Sequence, residues 1–102
     1  MRIATTPTHT FTFPETIRLS EITEAEFIYG QCGEKKLTKT LDDFVIDYQK
    51  NTFSITLTQD ETKLFAPGEA LVQAKIKTST GSVLASQIII FNVKPVLNSE
   101  DL

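Results

Sequence analysis

Tryptophan is absent from this chain, cysteine and histidine occur once each, and no apolar run approaches a membrane span. With Cys32 alone, no intramolecular disulfide can form, so a packed core must hold the fold; a reducing cytosol, or an assembly built there, suits such a chain. A single histidine excludes a histidine metal cluster, and a nucleophile–base triad would need partners that the sequence does not pair with it. Without tryptophan, a sugar-binding platform would fall to the only two tyrosines, Tyr29 and Tyr48. Residues 1–13 lack the apolar core of a secretory signal, so neither secretion by a signal peptide nor membrane insertion is expected. The ten basic and thirteen acidic residues give a net charge of −3 and are interspersed. Nucleic-acid binding requires a clustered basic face, and the one adjacent basic pair, Lys35-Lys36, flanks a glycine turn.

What the chain does have is apolar content and alternation. Forty per cent of its 102 residues are hydrophobic, enough for one core, so the expectation is a single domain over residues 1–95 followed by a short acidic tail, 96–102. Phe53, Ile55 and Leu57 alternate with Thr52, Ser54, Thr56 and Thr58, the period of a half-buried antiparallel strand. Thr8 to Phe13 repeats the pattern and is closed by Pro14. Ala25 to Gln31, with Phe27 and Tyr29 on one side, leads through Cys32-Gly33 into a return strand from Lys36 to Leu41, and Gly30 marks a bulge or a close backbone approach. Phe44, Ile46 and Tyr48 line another strand before the polar turn at residues 49–51. Ala70, Val72, Ala74 and Ile76 line the next, and a last strand runs from Val83 to Val93. About seven short strands, fifteen threonines and no long 3.6-residue period predict an all-β fold, an immunoglobulin-like antiparallel sandwich. A small barrel is the alternative.

One segment interrupts the alternation. In LTQDETKLFAPGEALVQAKI, residues 57–76, Thr58 and Glu61 have capping-box spacing: the Thr58 hydroxyl can accept from the Glu61 N–H while the Glu61 carboxylate reaches back to the Thr58 N–H. A single helical turn near 59–65 follows, with Asp60 and Glu61 in the first turn, where the helix dipole favours them. Leu64 and Phe65 are expected to close that turn onto the core. Pro67-Gly68 then releases the next strand, which turns again through Gly81. The whole stretch reads as a crossover from one sheet to the other.

This order of strand, Leu57-Thr58-x-x-Glu61-Thr62-x-x-Phe65, a small residue, Pro67, Gly68 and a new alternating strand resembles the β-sandwich domains of phage tail and baseplate proteins. Gly68 and Gly81 match the two glycines of that pattern, and Ile88 to Val93 match its closing strand. The resemblance spans about residues 52–93, and MRIATTPTHTFTF and KPVLNSEDL are similar to the ends of short proteins encoded in prophages of Gram-positive bacteria. Where that family often has an aromatic soon after the glycine, this chain has Glu69-Ala70-Leu71-Val72. The resemblance implies a phage or prophage structural or assembly protein, located in the virion or in the host cytoplasm during assembly. Its partners would be other phage structural proteins or further copies of itself.

Few residues suggest chemistry. His9 lies in phase with Phe11 and Phe13 and reads as a packed strand residue, and Cys32 as a turn residue with no base beside it. Asp42, Asp43 and Asp47 could offer oxygens to a hard cation, but not with the spacing of a calcium loop, and they read as solvated turns. The expectation is therefore no catalytic, cofactor or metal site, no small-molecule substrate and no enzyme activity. A partner is asked for elsewhere: Ile88 and Ile90 point to one side of the last strand and Ile89, Phe91 and Val93 to the other, so one set needs cover from the chain itself or from an interface. With Val96 and Leu97 of the tail, these are the candidate interface residues. The rival function is a carbohydrate- or ligand-binding sandwich module.

Overall fold

Alternating hydroxyl and apolar residues build the first sheet. In the computed structural model, which describes residues 1–86, 88–98 and 100, β1 (Thr8–Thr12) and β4 (Val45–Asp47) flank β5 (Thr52–Thr56). Register pairs Thr8 with Thr56, Thr10 with Ser54 and Thr12 with Thr52, so one face is a ladder of hydroxyls, with Oγ···Oγ distances of 2.8 Å and 3.0 Å at the first two pairs. The opposite face carries Phe11, Phe53 and Ile55 into the core.

The second sheet is larger. β2 (Ile22–Gln31) lies between β3 (Glu34–Thr40) and β6 (Gly68–Thr78), and the far edge of β6 pairs with β7 (Val83–Ala85) and β8 (Ile89–Val93). All pairs of these strands are antiparallel. The two sheets form the expected sandwich, and their order, one edge strand added beside the central pair, is that of an immunoglobulin-like fold. Phe27 and Tyr29 from the second sheet and Phe53 from the first have no exposed surface, and the Phe27 ring lies 4.3 Å from Phe44, 4.8 Å from Phe11 and 5.9 Å from Phe53.

Local signals were followed at the turns. Cys32 and Gly33 have φ of 52° and 79° between paired Gln31 and Glu34, the two-residue hairpin with both central residues left-handed. At Gly30 the ladder shifts register, and a Cβ there would lie 3.1 Å from the Glu34 carbonyl oxygen, so bulge and close approach coincide. Helix α1 (Gln59–Thr62) is capped as its spacing predicts: the Glu61 N–H donates to Thr58 Oγ1 at 3.1 Å and the Thr58 N–H to Glu61 Oε1 at 2.9 Å. It carries the chain from β5 in one sheet to β6 in the other.

Two expectations are corrected. Leu64 does not close the turn onto the core; it is exposed, while Thr62 and Phe65, one helical repeat apart, fill the inward side. The Thr62 hydroxyl is accommodated there by donating to the Gln59 carbonyl at 2.9 Å. The last strand is also not continuous from Val83 to Val93. Lys75 pairs with Ala85 but Val72 with Ile89, so the register slips by one residue between β7 and β8. At the break the Ser86 N–H donates to the Ala74 carbonyl at 2.8 Å, and the Ala74 N–H donates to the Ser86 hydroxyl at 2.9 Å, a side chain standing in for a ladder carbonyl.

Candidate functional site

The two open flanks of a sandwich are where its edge strands meet solvent, and here they differ. On the β3 side, register places Lys39 opposite Phe27, on the inner face of the sheet. Its ammonium forms an ion pair with Glu61 of α1, with both side chains largely shielded. Partial burial pushes the Glu61 carboxyl up, but the Lys39 ammonium and the Thr58 N–H outweigh it and hold the group below the ordinary carboxylate range. Deeper in, Tyr29 hydrogen-bonds His9 Nδ1 at 2.7 Å. Burial first, and Glu61 second, push the Tyr29 phenol up, so the O–H stays protonated. The His9 ring stacks on Tyr29 and leans on Phe91, and its desolvation lowers its basicity. Every member of this chain of polar groups has a partner inside the protein. It binds β1, β2, β3 and α1 together.

Among the described residues, the opposite flank has no such closure. Between β1 and the β7–β8 edge lies a gap of about 500 Å³, lined by Phe11, Phe13, Ile17, Val72, Leu84 and Ile89 among others. Beside it, Ile88, Ile89 and Ile90 are about half exposed or more, with Ile90 at 61%. Ile90 pairs with Leu71 of β6, itself partly exposed, so the apolar surface continues across the outer face of the sheet. Backbone parity is fixed by the chain's first residues: Lys94 N–H donates to the Met1 carbonyl at 2.7 Å and Ile3 N–H to the Lys94 carbonyl at 3.2 Å, a short parallel pairing on the outer side of the β8 end. Groups of Asn92 and Lys94 thus point away from β6, and by alternation the N–H and C=O of Ile90 do too.

The candidate interface residues accordingly divide. Ile88, Ile89 and Ile90 are at the surface, whereas Val93, only 3% exposed, is core, and Phe91 is half-buried against His9, Tyr29 and Phe65. For Val93 the cover comes from the chain itself, which corrects its assignment to an interface, while Phe91 is covered only in part. Val96 and Leu97 are exposed beyond Pro95, whose carbonyl accepts from Arg2 Nη1 at 3.0 Å. Gly81, with φ of 87°, turns β6 into β7, and Gly68, with φ of 128°, opens β6. Of the crossover residues, Thr58 caps α1, Glu61 lies within it and Pro67 precedes β6, all remote in role from the apolar edge.

The remaining candidates are placed by local hydrogen bonds. Asp43 Oδ2 accepts from the Thr40 N–H at 2.9 Å, and Asp47 Oδ1 from the N–H groups of Gln49 and Lys50 at 3.0 Å each. Among the described residues, no group of three or more His, Cys, Asp or Glu is placed to hold a metal ion. Cys32 is exposed at its hairpin. Tyr48 is exposed but Tyr29 is core, so the two do not form an aromatic platform.

Sequence reasoning passed over two amides that fix loops around these flanks. Asn51, with φ of 58°, donates through Nδ2 to the carbonyls of Phe13 and Pro14 at 2.8 Å and 2.9 Å, holding the exit of β1. Buried Gln31 accepts from the Ala66 N–H at 2.7 Å and donates to its carbonyl at 2.6 Å, pinning the crossover to β2. An asparagine ending a polar turn was the available signal for the first; nothing local signalled the second. No helix among the described residues is long and apolar enough to cross a membrane. No protein-family model, no curated protein and no solved structure matches the chain.

Proposed function

We propose that this chain is a non-enzymatic structural or assembly protein of a phage or prophage, of tail or baseplate type, that acts by protein–protein contact through its β7–β8 flank. The observation that carries the contact is the exposed apolar edge, Ile88, Ile89 and Ile90 beside Leu71, next to an unfilled apolar gap. An apolar strand edge of this kind is a pairing template that isolated proteins normally protect. The phage assignment rests on the sequence resemblance over residues 52–93 and on the similar chain ends. Support also comes from the fold's economy: its polar clusters serve the scaffold, which leaves the edge as the feature calling for a partner. The test is to induce the prophage of the encoding strain, purify particles and assembly intermediates, and identify their proteins by mass spectrometry. The chain is expected in one of those fractions, bound to another structural protein or to itself. Its absence from all of them, with abundant free protein in the lysate, would count against the reading.

A further inference from the structure

We infer that the occupant of the β7–β8 edge is a second copy of this chain, paired strand to strand and antiparallel about a two-fold axis near Ile89. The inference rests on the protein-contact reading above and names its partner.

Charge points to self-pairing. Residues 78–93, from the end of β6 through β8, contain no charged side chain, whereas β3, EKKLTKT, the other edge of the same sheet, carries Glu34, Lys35, Lys36 and Lys39. Across a two-fold axis a stretch meets itself reversed, so an edge with an excess of one sign, as in β3 with three lysines to one glutamate, repels itself while isoleucines are self-complementary. A two-fold axis perpendicular to a sheet also makes the joined strands antiparallel, the pairing in which Ile88 to Ile90 would face the same stretch reversed.

Geometry limits the pairing to a short, closed contact. The edge groups of Ile90 are turned outward, while residues 1–3 already occupy the β8 edge at Asn92 and Lys94, and the bulge at Ser86 breaks the strand on the other side. The available edge is therefore centred on residues 88–90. Strand addition there would place alternate side chains of the second copy over the gap lined by Phe11, Phe13, Ile17 and Leu84, and the rest against Ile90 and Leu71 on the outer face. A few half-exposed aliphatic residues amount to on the order of 500 Å² per copy, near the size of the largest apolar patch on a typical monomer. Backbone bonds at the edge and the covered gap bring this toward the roughly 800 Å² per partner of a stable dimer.

The test uses the full chain. Its mass is followed by light scattering on a sizing column and by native mass spectrometry from micromolar to millimolar concentration, beside Ile90→Lys, Ile90→Glu and an equimolar mixture of the two variants. Expected is a wild-type dimer, monomers for each variant alone, and return of the dimer mass on mixing, since opposite charges then face each other diagonally across the axis. Amide hydrogen exchange on the wild type gives an independent reading: the Ile90 N–H should be exchanged at least tenfold more slowly at dimer-forming concentration than at dilution. A wild-type monomer at millimolar concentration overturns the inference, as does a dimer indifferent to Ile90→Lys. A dimer whose Ile90 N–H gains no protection also overturns it, because the copies would then meet by faces rather than edges. Should either variant misfold by circular dichroism, the wild-type mass and exchange decide alone. Particle composition is not read in this experiment: a dimer never found with phage proteins would remove the phage assignment and leave the pairing standing, and a monomer found in particles would do the reverse.

Discussion

Strand β3 carries four charged residues in seven, and one of them, Lys39, turns inward to meet Glu61; β7 and β8 on the other side carry none, and leave Ile88, Ile89 and Ile90 about half exposed or more. Both are edges of the same sheet, and along β3 and the middle of β8 the difference lies in the side chains. The β3 edge combines charge, which discourages foreign strands, with an internal ion pair that ties it to α1. The β8 edge has instead a partial cover, residues 1–3, that leaves its middle open. The contrast teaches that apolar exposure here is local and selective, since the same sheet shows how the chain protects an edge when it does so.

The comparison breaks most completely at Phe27, because its ring belongs to both flanks, touching Phe11 on β1 and Phe44 beside β4. Phe27→Ala should lower stability by about 3–5 kcal/mol, the usual range for a fully buried phenylalanine. Urea denaturation followed by circular dichroism measures this. A loss under about 1 kcal/mol would mean that the two sheets are not packed through this ring.

The protected flank can be opened alone. Glu61→Ala removes the acceptor of the Thr58 N–H and leaves Lys39 on the inner face without its partner, with an expected cost of about 1–3 kcal/mol. Thr58→Ala removes only the cap and should cost about 1 kcal/mol. If the first variant is no worse than the second, Lys39 reaches solvent without Glu61, and the ion pair contributes nothing to closing this side. Neither change should alter the oligomeric mass, which keeps this flank distinct from the β8 edge.

How much of this contrast was legible in the sequence follows from how local each cause is. The cap at Thr58 and Glu61, the Cys32-Gly33 turn and the alternation of β5 depend on residues within a few positions of one another, and all were read correctly. Ile88 and Ile90 could be assigned to one side of a strand by period two alone. Burial of Val93, and the inward direction of Lys39, depend on register with strands distant in sequence. Lys39 did share a phase with Leu37, yet a lysine in a charged run reads as solvated until Glu61 is seen across from it. Leu64 was misplaced for a related reason: a hydrophobic residue in a single turn is taken inward by default, and here Thr62 took that position because its hydroxyl bonds within the turn. The bulge at Ser86 needed a hydrogen bond between side chain and backbone that no spacing announces.

The smallest expected effect concerns His9, which lies between the two flanks, bonded to Tyr29 and leaning on Phe91 beside β8. Desolvation first, and the chain's terminal ammonium second, lower its basicity in the folded protein from the ordinary value of 6.5. The unfolded chain therefore binds the proton more readily than the folded one. Its contribution to stability is complete above about pH 6.5 and is lost as the pH falls from there through the lower folded value. Glu61 acts in the same direction at more acid pH, since its folded carboxyl lies below the ordinary value of 4.5. The two can be separated by substitution. His9→Phe loses the hydrogen bond with the Tyr29 hydroxyl and should be less stable at neutral pH, but its urea midpoint should be flat where the wild type begins to decline below pH 6.5. An unchanged slope in the variant would move the titrating group elsewhere. A slope that steepens with dilution would show that the proton acts on an assembled form, with Phe91 linking His9 to the β8 edge.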